Sequence, residues 1–193
     1  MYRFDVYTAA SGLAISIDDV HAQSRMDFDD EDDLITDFYI PAATDLFEKT
    51  TKRTLLETTY ELYLDSWENI IWFPRPPLQS VTHVKYYDGD GSEQTLAASG
   101  YTVDTTQAPG KLYFKTTTQL PELSENNHPK ITIRYVAGYG DSDDIPKLIK
   151  TGIAQLVATY YEQRETTGAA TTEMPYGFQT ACNCFKIMFE RHQ

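Results

Sequence analysis

Over the stretch KITIRYV the apolar residues Ile131, Ile133 and Tyr135 alternate with Thr132 and Arg134, the period-two pattern of a β-strand with one face in a core. The period then changes. Ile149, Ile153, Leu156, Val157 and Tyr160 recur at helical spacing, which predicts an amphipathic helix near 145–164 with one apolar stripe. Between the two patterns, Gly138 and Gly140 can take positive φ without steric cost. Asp141, Asp143 and Asp144 are expected at the positive end of the coming helix, with Pro146 at its first position. A strand that turns through glycines into a long helix is the unit to which the other patterned segments must attach.

Upstream, Asp18 and Asp19 open a short helical candidate, DDVHAQSRM, and the acidic run DFDDEDD at 27–33 precedes a longer one. In that longer helix Leu34, Ile35, Phe38, Ala42, Leu46 and Phe47 are expected to face a core, with Pro41 kinking it. From Thr54 the period becomes two: Leu56, Tyr60, Leu62 and Leu64 alternate with Glu57, Thr59, Glu61 and Asp65, a strand with one wet face. The run IIWF follows Trp67, then PRPPL forces an extended connection, and Asp88-Gly89-Asp90-Gly91 between two β-like runs reads as a hairpin. Short strands are expected at 101–104 and 111–115. The polar segment 116–129, TTTQLPELSENNHP, is a long loop of the kind that either binds something or is merely solvated. Residues 1–12 have no period and read as an ordered arm or a frayed end. At the other terminus, the small-residue linker TTGAATTEMPYG leads into Phe178, Ala181, Cys182, Phe185, Met188 and Phe189 at helical spacing. That amphipathic helix either packs on the chain's own helices or docks into a partner.

Charge narrows the partners. A net charge of −13 opposes any grip on nucleic acid, because phosphate affinity comes from Lys and Arg that neutralise the backbone. An acidic wall would instead let DNA pass. No apolar run approaches a membrane span, no basic-then-hydrophobic leader is present, and Cys182 and Cys184 read as free thiols of a reducing compartment, so synthesis and residence in the cytoplasm are expected. Catalytic and metal signatures are missing. The sequence has no phosphate-binding loop, HExxH or GxSxG, and the glycines of AGYG do not complete GxGxxG, since Asp143 stands at the third position. Two acidic stretches imitate calcium loops and fail. The one opening at Asp27, Asp29 and Glu31 has Asp32 where glycine is needed and Phe38 where a bidentate Glu is needed; DGDGS has Glu93 and Ser99 there. The histidines at 21, 83, 128 and 192 are scattered over four segments, so no cofactor and no metal is expected.

The succession DDEDDLI (29–35), RPPLQSV (75–81), YYDGDGSEQTL (86–96), YTVD (101–104), ITIRYVAGYG with DIPKLIKTGIAQLVATYYEQRE, and MPYGFQ (174–179) resembles the head-tail connector proteins of long-tailed bacteriophages. These are also called adaptor or head-completion proteins, and relatives occur in gene transfer agents. The likeness spans most of the chain in order and departs at residues 1–12 and at ACNCFKIMFERHQ. It implies an α+β fold: a small bundle of about four helices, near 18–25, 30–52, 145–164 and 178–191, with an antiparallel β-lobe inserted between the second and third. The corresponding divisions are 1–53, 54–137 and 138–193. It further implies a non-enzymatic virion protein of the neck, assembled in the host cytoplasm, that forms a homo-oligomeric ring of about twelve copies. Its partners would be the portal protein and a downstream stopper or tail-terminator protein, with DNA passing through unbound and no membrane. On this reading Phe178, Phe185, Met188, Phe189 and Arg191 are the portal-binding candidates. Gln107, Pro109, Leu120, Leu123 and Asn126 are the candidates for contact with neighbouring subunits or the next ring. Two other classes compete: a sugar-binding module centred on Trp67 and Trp72, and a hydrolase using a carboxylate pair.

Overall fold

The computed structural model of the chain describes residues 2–24, 31–163 and 174–188. The fold is mixed α+β and divides into two compact units, residues 1–10 with 57–138 and residues 11–56 with 139–193.

The first unit is all β, with strands β1 (Arg3–Thr8), β2 (Thr58–Leu64), β3 (Ile70–Trp72), β4 (Leu78–Tyr87), β5 (Glu93–Leu96), β6 (Tyr101–Asp104), β7 (Lys111–Phe114) and β8 (Ile131–Ala137). They form a five-stranded sheet in the order β1-β2-β8-β4-β5 and a three-stranded sheet in the order β3-β7-β6, every strand pair being antiparallel. The alternation over Ile131, Ile133 and Tyr135 makes β8 the central strand of the larger sheet, with Ile131, Ile133, Tyr135 and Ala137 all buried. Its neighbour β2 buries Tyr60, Leu62 and Leu64 in matching register. Tyr135 anchors this core. Its ring lies 5.5 Å from Tyr60 and 4.9 Å from Phe73, and its hydroxyl donates to the Pro74 carbonyl at 3.0 Å. On the opposite face Arg134 donates twice to Glu61 Oε1, at 3.1 and 2.7 Å, and its guanidinium covers the Tyr7 ring.

Residues 3–8, which carry no readable period, pair with β2 as an edge strand. Only Phe4 of the six is even partly covered, so selection for alternation is weak there. The N-terminal residues therefore group with the strands and not with the first helices.

The second unit is helical: α1 (Ile17–Ser24), a short α2 (Asp32–Leu34), a π turn at Ile35–Tyr39, α3 (Ile40–Thr51), α4 (Lys147–Glu162) and α5 (Tyr176–Phe185). The π turn corrects the expected core face of the second helix. Ile40 N–H donates to Ile35 O, one residue further back than in an α-helix, which advances the phase of everything after it. Ile35, Ile40, Ala43 and Phe47 are buried, whereas Phe38 is 64% exposed and Ala42 faces outward. Pro41 explains the turn. It has no N–H for Asp37 O and its ring crowds that carbonyl, so the backbone widens upstream instead of kinking within α3.

The glycine turn also differs in detail. Asp141 and Asp144 form a capping box on a 3₁₀ turn at Ser142–Asp144, while Pro146 stands at the N-cap of α4, just outside the helix. Gly140 sits at φ +119, and a Cβ there would meet Asp144 Oδ2 at 2.7 Å, so both conformation and space require glycine.

Candidate interaction surfaces

The C-terminal stripe divides between core and surface. Phe178 is fully buried, edge-on to Phe47 with centroids 6.1 Å apart, and Ala181 and Cys182 are buried with it. The crossing of α4 and α5 is close enough that a Cβ on Gly152 would meet Ala181 Cβ at 3.0 Å and the Gly177 carbonyl at 3.3 Å. Helix α5 ends at Phe185, short of the expected 191, because Lys186 turns to extended backbone. Ile187 N–H then donates to Thr51 O at 3.0 Å. Arg53 fixes the exit: its Nε donates to Phe185 O at 2.6 Å and its guanidinium lies 5.6 Å from the Phe185 ring centroid. Phe185 is half-buried, Met188 is 81% exposed, and Phe189 and Arg191 lie outside the described residues. Burial also explains the Cys182 thiol, whose pKa is pushed up to about 11, while Cys184 is exposed.

The loop candidates share a pattern of pinned roots and open tips. Between β6 and β7, Asp104 Oδ1 accepts from the Thr106 hydroxyl at 2.6 Å and, secondarily, from its N–H at 2.9 Å, which holds the carboxyl pKa below its ordinary range. Gln107 is exposed and Pro109 half-buried, and Gly110 packs so tightly that a Cβ would fall 2.6 Å from Leu78 atoms. The long segment 116–129 is held by Trp67, whose Nε1 donates to the Pro121 carbonyl at 2.9 Å while its ring packs edge-on to Tyr86 and Phe114. Leu123 bridges to Asp88 and packs on the β core, Ser124 N–H donates to Tyr87 O, and Leu120 is half-buried. Asn126 alone of the five loop candidates shares with Gln107 a fully outward position.

Both tryptophans offered for a sugar have intramolecular partners. Trp67 is committed to its loop, and Lys111 Nζ sits 4.2 Å above the Trp72 ring. The acidic motifs serve local structure. Asp88 accepts from the N–H groups of Asp90 and Ser92 and from Gln94, led by the Ser92 bond, which lowers its carboxyl pKa. From the acidic run, Glu31 accepts from Tyr161 at 2.8 Å and Asp32 contacts His21 Nε2 at 2.9 Å; Asp27 and Asp29 lie outside the described residues. Among the described residues no group of three or more His, Cys, Asp or Glu side chains could hold a metal ion, and no helix is long and apolar enough to cross a membrane.

These features define a two-unit α+β chain whose candidate loops are held at their roots by Asp104 and Trp67. No protein-family model and no curated protein matches the sequence. Solved structures do match its fold. A chain of the virion of the native gene transfer agent (GTA) particle superposes with a TM-score of 0.79 at 22% identity, covering 98% of both chains. A chain of the neck of the empty GTA particle, computed with C6 symmetry, gives 0.79 at 23% identity over 99% of this chain and 98% of that one. A chain of the native neck computed with C12 symmetry gives 0.77 at 21% identity with the same coverage. The family resemblance read from the sequence thus meets a shared fold over the whole chain.

Proposed function

We propose that the chain is a structural neck component of a phage-like particle, an adaptor ring that joins the portal to the next neck or tail component and extends the DNA channel. One observation carries the reading: correspondence of fold over 98–99% of this chain and 98% of the matched chains, which belong to GTA virions and necks. The reading treats the β unit as a lobe inserted in a helical bundle. The symmetry of those necks supports a ring of this chain. Its net charge of −13 suits a passage that DNA traverses without being held. The function is architectural and needs no catalysis.

Within this reading the portal is contacted by the segment that leaves α5, with Met188 at its start and Phe189 and Arg191 beyond. Phe178 serves inside the helical unit, with Phe185 at the margin. Gln107 and Asn126, at open loop tips, face the neighbouring subunit or the next ring. The test is electron microscopy of the full chain mixed with its portal. A ring seated on the portal is expected, and truncation after Ile187 should leave the fold intact while weakening portal binding. A chain found solitary in particles, away from the neck vertex, overturns the proposal. Unchanged portal binding by the truncated chain discards the tail assignment alone.

A further inference from the structure

The β unit has two open flanks, and they differ. The edges of its two sheets are β1 and β5 in one and β3 and β6 in the other. Strands β1 and β3 share a flank: Tyr2 donates its hydroxyl to Glu68 Oε2 at 2.5 Å, and Arg75, just past β3, lies over the Phe4 ring. Strands β5 and β6 share the other, joined only by Ala97 and the 3₁₀ turn Ala98–Gly100.

Among the described residues of this unit, exposed large apolar side chains occur at three positions, Val6 at 55%, Tyr7 at 56% and Ile70 at 39%, and all three are on the β1/β3 flank. The β5/β6 flank instead shows Glu93, Gln94, Thr95 and Thr102. An edge strand presents a row of outward N–H and C=O groups that only another extended backbone satisfies fully. Natural edges are kept apart by brevity, proline or inward charge. At six residues, β1 has no proline and no lysine; its charges are Arg3 and Asp5, its register with β2 shifts only past Val6, and Val6, opposite Tyr60 in register, is exposed.

From these flanks we infer that β1, with Ile70 beside it, adds to the β5 edge of the next copy of this chain, so that the larger sheet continues from one subunit to the next. The inference rests on the ring reading and names its contact. Identical copies of charge −13 repel, which favours a seam built from backbone hydrogen bonds and apolar side chains. Pairing unlike flanks is heterologous and can close a ring, whereas pairing β1 with β1 would stop at a dimer. The edges bring opposite charges, exposed Arg3 on β1 and exposed Glu93 on β5, although Glu93 also pairs with Lys85 of its own copy at 2.7 Å.

The experiment is amide hydrogen exchange of the full chain, dilute and at concentrations where analytical ultracentrifugation finds the ring, or on the portal. Exchange of residues 3–8 and of 93–96 should both slow by about tenfold or more on assembly. The surface variant Val6→Lys with Ile70→Lys should keep the thermal melt and lose the ring. A ring in which neither segment slows, or in which only residues 3–8 slow, overturns the seam, as does a lysine variant that assembles normally. A chain that never assembles, alone or with portal, instead sinks the ring reading on which the seam depends.

Discussion

Replacing Phe178 by alanine asks whether α5 belongs to the helical core or merely leans on it. The side chain has no exposed surface and meets Phe47 edge-on at 6.1 Å. Truncating a fully buried phenylalanine removes its transfer free energy and leaves a cavity, together about 3–5 kcal/mol. The aromatic pair accounts for about 0.5–1.5 kcal/mol of that sum. Relaxation of the cavity is limited, because Gly152 and Ala181 already hold α4 and α5 at contact distance. Against a typical domain stability of about 5–15 kcal/mol the loss is large, and in a unit of this size it corresponds to a fall in Tm on the order of 15–30 °C. Urea titration followed by far-ultraviolet circular dichroism measures it. Met188→Ala, at an 81% exposed position, is the reference and should change stability by no more than about 0.5 kcal/mol. If Phe178→Ala costs under about 1 kcal/mol, the packing argument for α5 is wrong and the whole C-terminal helix is available to a partner.

Two further outcomes follow from buried ionisable groups. Because burial raises the Cys182 thiol to about 11, its thiolate is rare at pH 8, roughly one part in a thousand, and iodoacetamide should add once per native chain, at Cys184. Mass spectrometry that finds both thiols alkylated at similar rates would contradict the burial of α5's inner face. Burial also raises the Tyr135 phenol, so the folded state favours its neutral form: the stability it confers is present below the unfolded value near 10 and is lost as pH rises past it. Tyr135→Phe should cost about 1 kcal/mol at pH 7, from the lost bond to Pro74 O, and should lessen the alkaline fall; an unchanged alkaline slope speaks against it.

Legibility in the sequence followed burial. Strands β2 and β8 are each half in a core, so strict alternation was enforced at Tyr60, Leu62, Ile131 and Ile133 and could be read directly. The stripe on α4 was legible for the same reason, with Ile149, Ile153, Leu156 and Val157 all buried. Phase was lost where the backbone departed from a regular period. The extra residue in the turn at Ile35–Tyr39 moves Phe38 to the surface, and only Pro41 hinted at it. Edge strand β1 was invisible because an exposed strand needs no alternation. Among the candidate surface residues, sequence pattern could not separate Phe178 from Met188. Both fit one helical stripe, and the break at Lys186 depends on Arg53 and Thr51, which are remote in the chain. The anchoring of 116–129 by Trp67 was likewise hidden, since one indole N–H meeting one carbonyl leaves no periodic trace.

Both tryptophans of the chain, Trp67 and Trp72, stand in the β unit, one against Tyr86 and Phe114 and the other beneath Lys111. Indole emission is therefore a private reporter of the strands, blind to the helices, while ellipticity is dominated by the helices. Recording the two signals on one sample resolves whether the halves melt together or in turn, with no label introduced.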